Sequence, residues 1–145
     1  MSEPGQNFEN HAKMVPAYHG AATFMLLVPT LWLAYRTVTD FSVDALMFLV
    51  FCGGVVVAAL FTRLFPLGVQ NRVIRLEEQI RLKGILPEDL QKRVGDFTTS
   101  QLIGLRFAPD EELPDLARRV LDEGISDRKL IKQAVKNWRA DHERI

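Results

Sequence analysis

The chain has 145 residues, with 18 Lys and Arg against 18 Asp and Glu, and a single cysteine. A formal net charge of zero excludes the strongly basic make-up of a nucleic-acid binder, and one cysteine excludes a disulfide framework within the chain. Its charge is unevenly spread: no Asp, Glu, Lys or Arg occurs from Val15 to Tyr35 or from Ala45 to Thr62, and nearly all of it follows Arg63.

Residues 1–14 carry Glu3 and Glu9 and only Lys13 as a basic residue. A secretory signal needs a basic start, a short apolar core and a small-residue cleavage site. The first apolar run is longer than that core and is followed by Arg36, so it is expected to be retained. A bilayer core about 30 Å thick needs about 20 helical residues to cross it. Residues 15–36 and 45–63 therefore read as two transmembrane helices. In the first, Pro29 lacks a backbone N–H and is expected to bend the helix. Trp32 and Tyr35 mark one end and Tyr18 the other, at the depth that amphipathic rings prefer.

Residues 37–44 form a short loop, so the two helices are expected as an antiparallel hairpin. Around that loop stands one basic residue, Arg36, against Asp40 and Asp44. Past the second run come Arg63, Arg72, Arg75, Arg81 and Lys83. Basic residues near the ends of spans remain in the cytoplasm. This places both termini in the cytoplasm of a cytoplasmic membrane and the loop outside. In the second span Gly54 and Ala58 share a face, a spacing that lets helices approach closely. Cys52 reads there as a small packing residue. His19 is the only ionisable side chain that interrupts either apolar run besides Tyr and Cys, which argues against a transporter or channel.

Residues 64–145 read as a cytoplasmic helical domain. Val69, Val73, Leu76 and Ile80 recur at spacings of four, three and four, with Arg72, Arg75, Glu77, Glu78 and Arg81 around them. This is the stripe of an amphipathic helix ended by Gly84 and Pro87. It is expected to pack on its own domain; a dimer seam is the alternative, though it lasts under two heptads. Pro87 is expected to open a short helix with Glu88 and Asp89 in its first turn. Thr98 or Thr99 is expected to cap SQLIGLRF, Asp110 to cap EELPDLARRVLDEG, and Gly124 to end that helix. Ser126 is expected to cap a last helix running to the C-terminus, with Ile131, Ala134, Val135 and Trp138 on its apolar face. No alternation long enough for a strand is visible, so the fold class is all-α: a two-helix transmembrane hairpin followed by a small cytoplasmic helical bundle.

Lys129, Lys132, Lys136 and Arg139 give the last helix a basic side, a possible interaction surface for anionic headgroups. From Arg63 onward 16 basic residues face 14 acidic ones. That balance argues against nucleic acid. The bilayer and a protein partner or second copy are the expected partners. Asn10, His11, Tyr18 and His19 form a second candidate segment, at the inner membrane interface.

Catalytic chemistry is harder to find. The three histidines, His11, His19 and His142, include no i, i+4 pair, and no C-x-x-C accompanies them. Haem held by His19 and a histidine of a second subunit is an arrangement to be weighed, but an interfacial histidine usually only hydrogen-bonds, so no cofactor is expected. No phosphate-binding glycine loop or nucleophile elbow occurs. The pairs Glu77–Glu78, Glu88–Asp89 and Glu111–Glu112 read as solvated helix faces. The chain is expected not to be an enzyme.

Four stretches are distinctive together: QNFENHAKMVPAYH, VQNRVIRLEEQIRLKGILP, TTSQLIGLRFAPDEEL and IKQAVKNWRADHERI. The most specific parts are Leu105–Arg106–Phe107–Ala108 followed by Asp110, and Lys136–Asn137–Trp138–Arg139 followed by Asp141. On these the chain resembles a bacterial family of small two-pass membrane proteins known only as a domain of unknown function. The resemblance implies the hairpin and the helical tail, and no activity or catalytic residue. The expected role is a non-enzymatic accessory or interaction protein of the bacterial cytoplasmic membrane. The alternatives are a module that binds anionic lipid and a small subunit of a cofactor-bearing membrane enzyme.

Overall fold

The computed structural model describes residues 6–10 and 15–141. Helices make up all the regular structure among the described residues. Contacts divide the chain into two units, Lys13–Leu67 and a second made of Met1–Ala12 with Gly68–Ile145.

In the first unit, π-helical turns at Ala17–Ala22 lead into α1, Thr23–Thr39. Asp40 to Ser42 separate it from α2, Val43–Ile85, which runs on past the unit's end. Among the described residues, these two helices are long and apolar enough to cross a membrane, and no part of their apolar windows is buried. Pro29 lies inside α1 and Pro66 inside α2. The second helix was expected to stop at residue 63, with a new one starting after Pro66 and Gly68; it is continuous instead. Proline removes one hydrogen bond, but propagation adds a bond for every other residue of an existing helix, so a 43-residue helix outlasts the loss. The hydroxyls of Thr30, Thr37 and Thr62 donate to the carbonyls of Leu26, Leu33 and Ala58, which satisfies polar atoms inside the helices themselves.

The second unit has a conventional core. Ile74, Glu78 and Leu82 of α2 are buried, and Leu82 starts a cluster with Leu86, Leu90, Val94, Phe97, Leu102, Leu105, Leu113, Leu116, Val120 and Ile131. After α2 come α3, Glu88–Gln91, and a 3-10 turn, Val94–Asp96. The helix α4, Thr99–Leu105, begins with a reciprocal cap. The Thr98 hydroxyl accepts from Gln101 N, and Gln101 Oε1 accepts from Thr98 N at 2.8 Å. The same Gln101 amide donates to Ile125 O at 2.9 Å, so the cap also ties down the chain beyond α5, Leu113–Asp122. Gly124 ends that stretch at φ 63°, the left-handed conformation that glycine adopts without penalty.

The helix α6, Arg128–Ala134, packs on α4 at close range. A Cβ on Gly104 would sit 2.8 Å from Ile131 Cβ, so glycine is what lets the two backbones approach.

Three local expectations are corrected. Asp110 does not cap α5, because Arg81 Nε donates to its carboxylate at 3.0 Å. Asp127, not Ser126, caps α6, accepting from Lys129 N at 2.7 Å. The last helix does not run to the C-terminus. It ends at Ala134, and Val135 is extended. There the backbone N–H groups find better partners outside a helix: Lys136 N and Asn137 N donate to the Glu112 carboxylate at 2.9 and 3.2 Å, and Arg139 N donates to Phe107 O at 2.8 Å. Val135 and Trp138 still reach the core, by an extended path.

Candidate functional site

Between Val69 and Leu82 the two sides of α2 have different fates. At about 100° per residue, Ile74, Glu78 and Leu82 lie on one side and Val69, Val73, Leu76 and Ile80 on the opposite one. The first set is buried. The second is exposed, at 62%, 47%, 60% and 65% in chain order. The apolar stripe is therefore not packed on its own domain, contrary to expectation, because the domain is built on the other face.

Glu78 stands at the centre of that inner face. Its carboxylate accepts from Arg81 Nη1 at 3.2 Å and lies 3.7 Å from Arg139 Nη1. Arg81 in turn reaches Asp110, and its Nη2 donates to Ala108 O at 2.8 Å. Arg106 is buried, pairs with Asp141 at 3.1 Å, and its guanidinium stacks 4.6 Å over the Phe107 ring. Trp138 also packs on Phe107, with ring centroids 4.6 Å apart and planes tilted by 35°, and Lys132 Nζ lies 4.9 Å from the Phe107 centroid. The Gln6 side chain closes the set: its Oε1 accepts from Asp141 N at 2.8 Å and its Nε2 donates to Asp141 O.

The two most distinctive segments of the sequence, around Arg106 and around Trp138, thus meet each other on the inner face of α2. Burial pushes the Glu78 carboxyl above its ordinary value, and Arg81, Arg139 and Arg106 pull it back only in part. Glu78 was expected on a solvated face with Glu77. Its i, i+4 spacing from both Ile74 and Leu82 puts it on their side of the helix, and the domain packed on that side makes it interior.

Elsewhere the Asp89 carboxyl is held below its usual range by a hydrogen bond from Arg118, with Nη1 2.8 Å away. This pair is at the surface and joins α3 to α5.

The four basic residues expected on one helix face are not brought together as one. Lys129 is exposed on α6; Lys132 is turned inward over Phe107; Lys136 and Arg139 follow the end of the helix, and Arg139 faces Glu78. Of the second candidate segment, Asn10 sits in a turn and accepts from Asn7 N. His11 lies outside the described residues. Tyr18 donates to Ala59 O of α2 at 3.1 Å, and the exposed His19 ring meets it edge-on, 5.3 Å between centroids. Asn10 and Tyr18 belong to different units.

Among the described residues no three His, Cys, Asp or Glu side chains gather as metal ligands. The cluster around Glu78 is chemically a clamp: it holds α2, the α4–α5 connection and the C-terminal segment through charges set against one another. Nothing matches among curated proteins or among solved structures. Residues 1–145 match the model of a family of unknown function (DUF6526), and the chain belongs to that family.

Proposed function

We propose that this is a membrane-anchored interaction protein without catalytic activity. In this reading the two apolar helices cross the cytoplasmic membrane of a bacterium as a hairpin, both termini are cytoplasmic, and the helical domain presents a rigid surface to a protein partner. One observation carries it: the domain's buried charges Glu78 and Arg106, with their partly buried partners Arg81 and Asp141, are engaged in holding its own segments together. Such a domain is a stiff platform on a lipid-soluble anchor. The lipid-binding alternative loses support from the same geometry, since Lys132 and Arg139 face Phe107 and Glu78.

The test is to tag the C-terminus, extract the protein from its native membrane in mild detergent, and identify what accompanies it at stoichiometric amounts. A defined membrane complex is the expected result. A preparation containing only this chain overturns the accessory role.

A further inference from the structure

The exposed stripe on α2 has a partner that its own chemistry specifies. Val69, Val73, Leu76 and Ile80 lie within an arc of about 60°, the narrow band of a coiled-coil seam and well short of the broad face by which a helix lies on a lipid surface. Their spacing assigns Val69 and Leu76 to d positions and Val73 and Ile80 to a positions. β-branched residues at a, here Val73 and Ile80, with leucine at d favour two parallel strands; Leu76 meets the rule at d and Val69 does not. The flanks agree. Arg72 falls at g and Glu77 at the following e, and in a parallel pair g of one helix faces that e of the other. Arg72 of each copy then meets Glu77 of its mate, twice by symmetry. Both side chains are exposed in the single chain. On a lipid surface Glu77 would instead sit beside the stripe among anionic headgroups. The buried residues Ile74, Glu78 and Leu82 lie on the opposite side, so each copy's own domain leaves the seam clear.

We infer that two copies of this chain pair in parallel along Val69, Val73, Leu76 and Ile80, with Arg72 and Glu77 setting the register. The inference deepens the membrane-anchored reading and rests on it for orientation, since two chains inserted in the same sense are held parallel.

The experiment uses the full chain in its native membrane with Cys52→Ser, which leaves no natural cysteine. Single cysteines replace Leu76, Ile80 or Arg75, and a mild oxidant is added. Parallel pairing puts each seam residue against itself, so Leu76→Cys and Ile80→Cys should yield roughly tenfold more linked dimer than Arg75→Cys, which points away. Adding Arg72→Glu should lower the Leu76→Cys yield several-fold, and combining it with Glu77→Arg should restore it. Yields at Leu76 and Ile80 no higher than at Arg75 overturn the pairing. If those unlinked cysteines also resist a water-soluble maleimide, lipid or another protein covers the stripe. A double charge variant no better than the single overturns the register. Alkaline carbonate separates the two levels: a chain that washes off the membrane defeats the anchoring, whereas an anchored chain that does not cross-link defeats the pairing alone.

Discussion

The unit of residues 13–67 and the unit made of residues 1–12 with 68–145 solve opposite problems. The first unit is almost wholly apolar, yet none of its described residues is buried; the second carries nearly all the charge and contains the entire core. Composition alone would have assigned the core to the wrong half. Apolar surface that stays exposed calls for a lipid or protein neighbour, whereas a charged segment makes its own core by lining one side of each short helix with leucine and valine. The second unit goes further and buries ions, which is tolerable only where each is matched.

If this contrast is right, damage should be severe in the second unit and slight in the first. All five tests use the full chain in detergent with Trp32→Phe, so that Trp138, packed on Phe107, is the only tryptophan reporting on the domain. The largest effect is expected from Glu78→Leu, which leaves Arg81 and Arg106 in a poorly solvated site without their central carboxylate. Denaturant unfolding should show a loss of about 3–5 kcal/mol; an unchanged midpoint would mean that the clamp contributes nothing. Gly104→Ala drives a methyl into Ile131 of α6 and should cost about 1–3 kcal/mol in the same measurement. Thr98→Ala removes one half of the cap on α4 and should cost about 1 kcal/mol.

A subtler effect concerns pH. The folded domain holds the Glu78 proton to a higher pH than the unfolded chain, whose ordinary value is 4.5. Over that window the folded state binds more protons, so this group's contribution to stability falls as the pH rises, and is constant above its raised value. Glu78→Gln should flatten that part of the stability profile; an identical slope in the variant would assign it to another group. The smallest effect is expected in the first unit. Leu31→Ala, on an exposed face of α1, should move the domain's unfolding by less than about 0.5 kcal/mol. A larger shift would show that the apolar helices support the domain's core.

Much of this was readable residue by residue where the cause is local. Two helices long and apolar enough to cross a membrane, a cap on α4 supplied by Thr98 of the two threonines that offered one, and the Gly124 stop each depend on a few neighbouring residues. The readings of Asp110, the last helix and the α2 stripe failed for one shared reason. Asp110 had the right chemistry for a cap, but Arg81, 29 residues away, offered an ion pair. Residues after Ala134 had helical periodicity, but Glu112 offered their N–H groups a carboxylate.

The amino-acid order by itself determined that the regular structure is helical, which segments are apolar enough to span a membrane, and that one side of α2 near Arg72 carries a narrow apolar stripe. Only the tertiary structure decided which side of that helix the domain covers, that Glu78 is interior, and that the segments around Arg106 and Trp138 converge. The physical reason is that helical propensity and hydropathy act over a few residues, whereas burial and ion pairing are settled by whatever distant group arrives with the better partner.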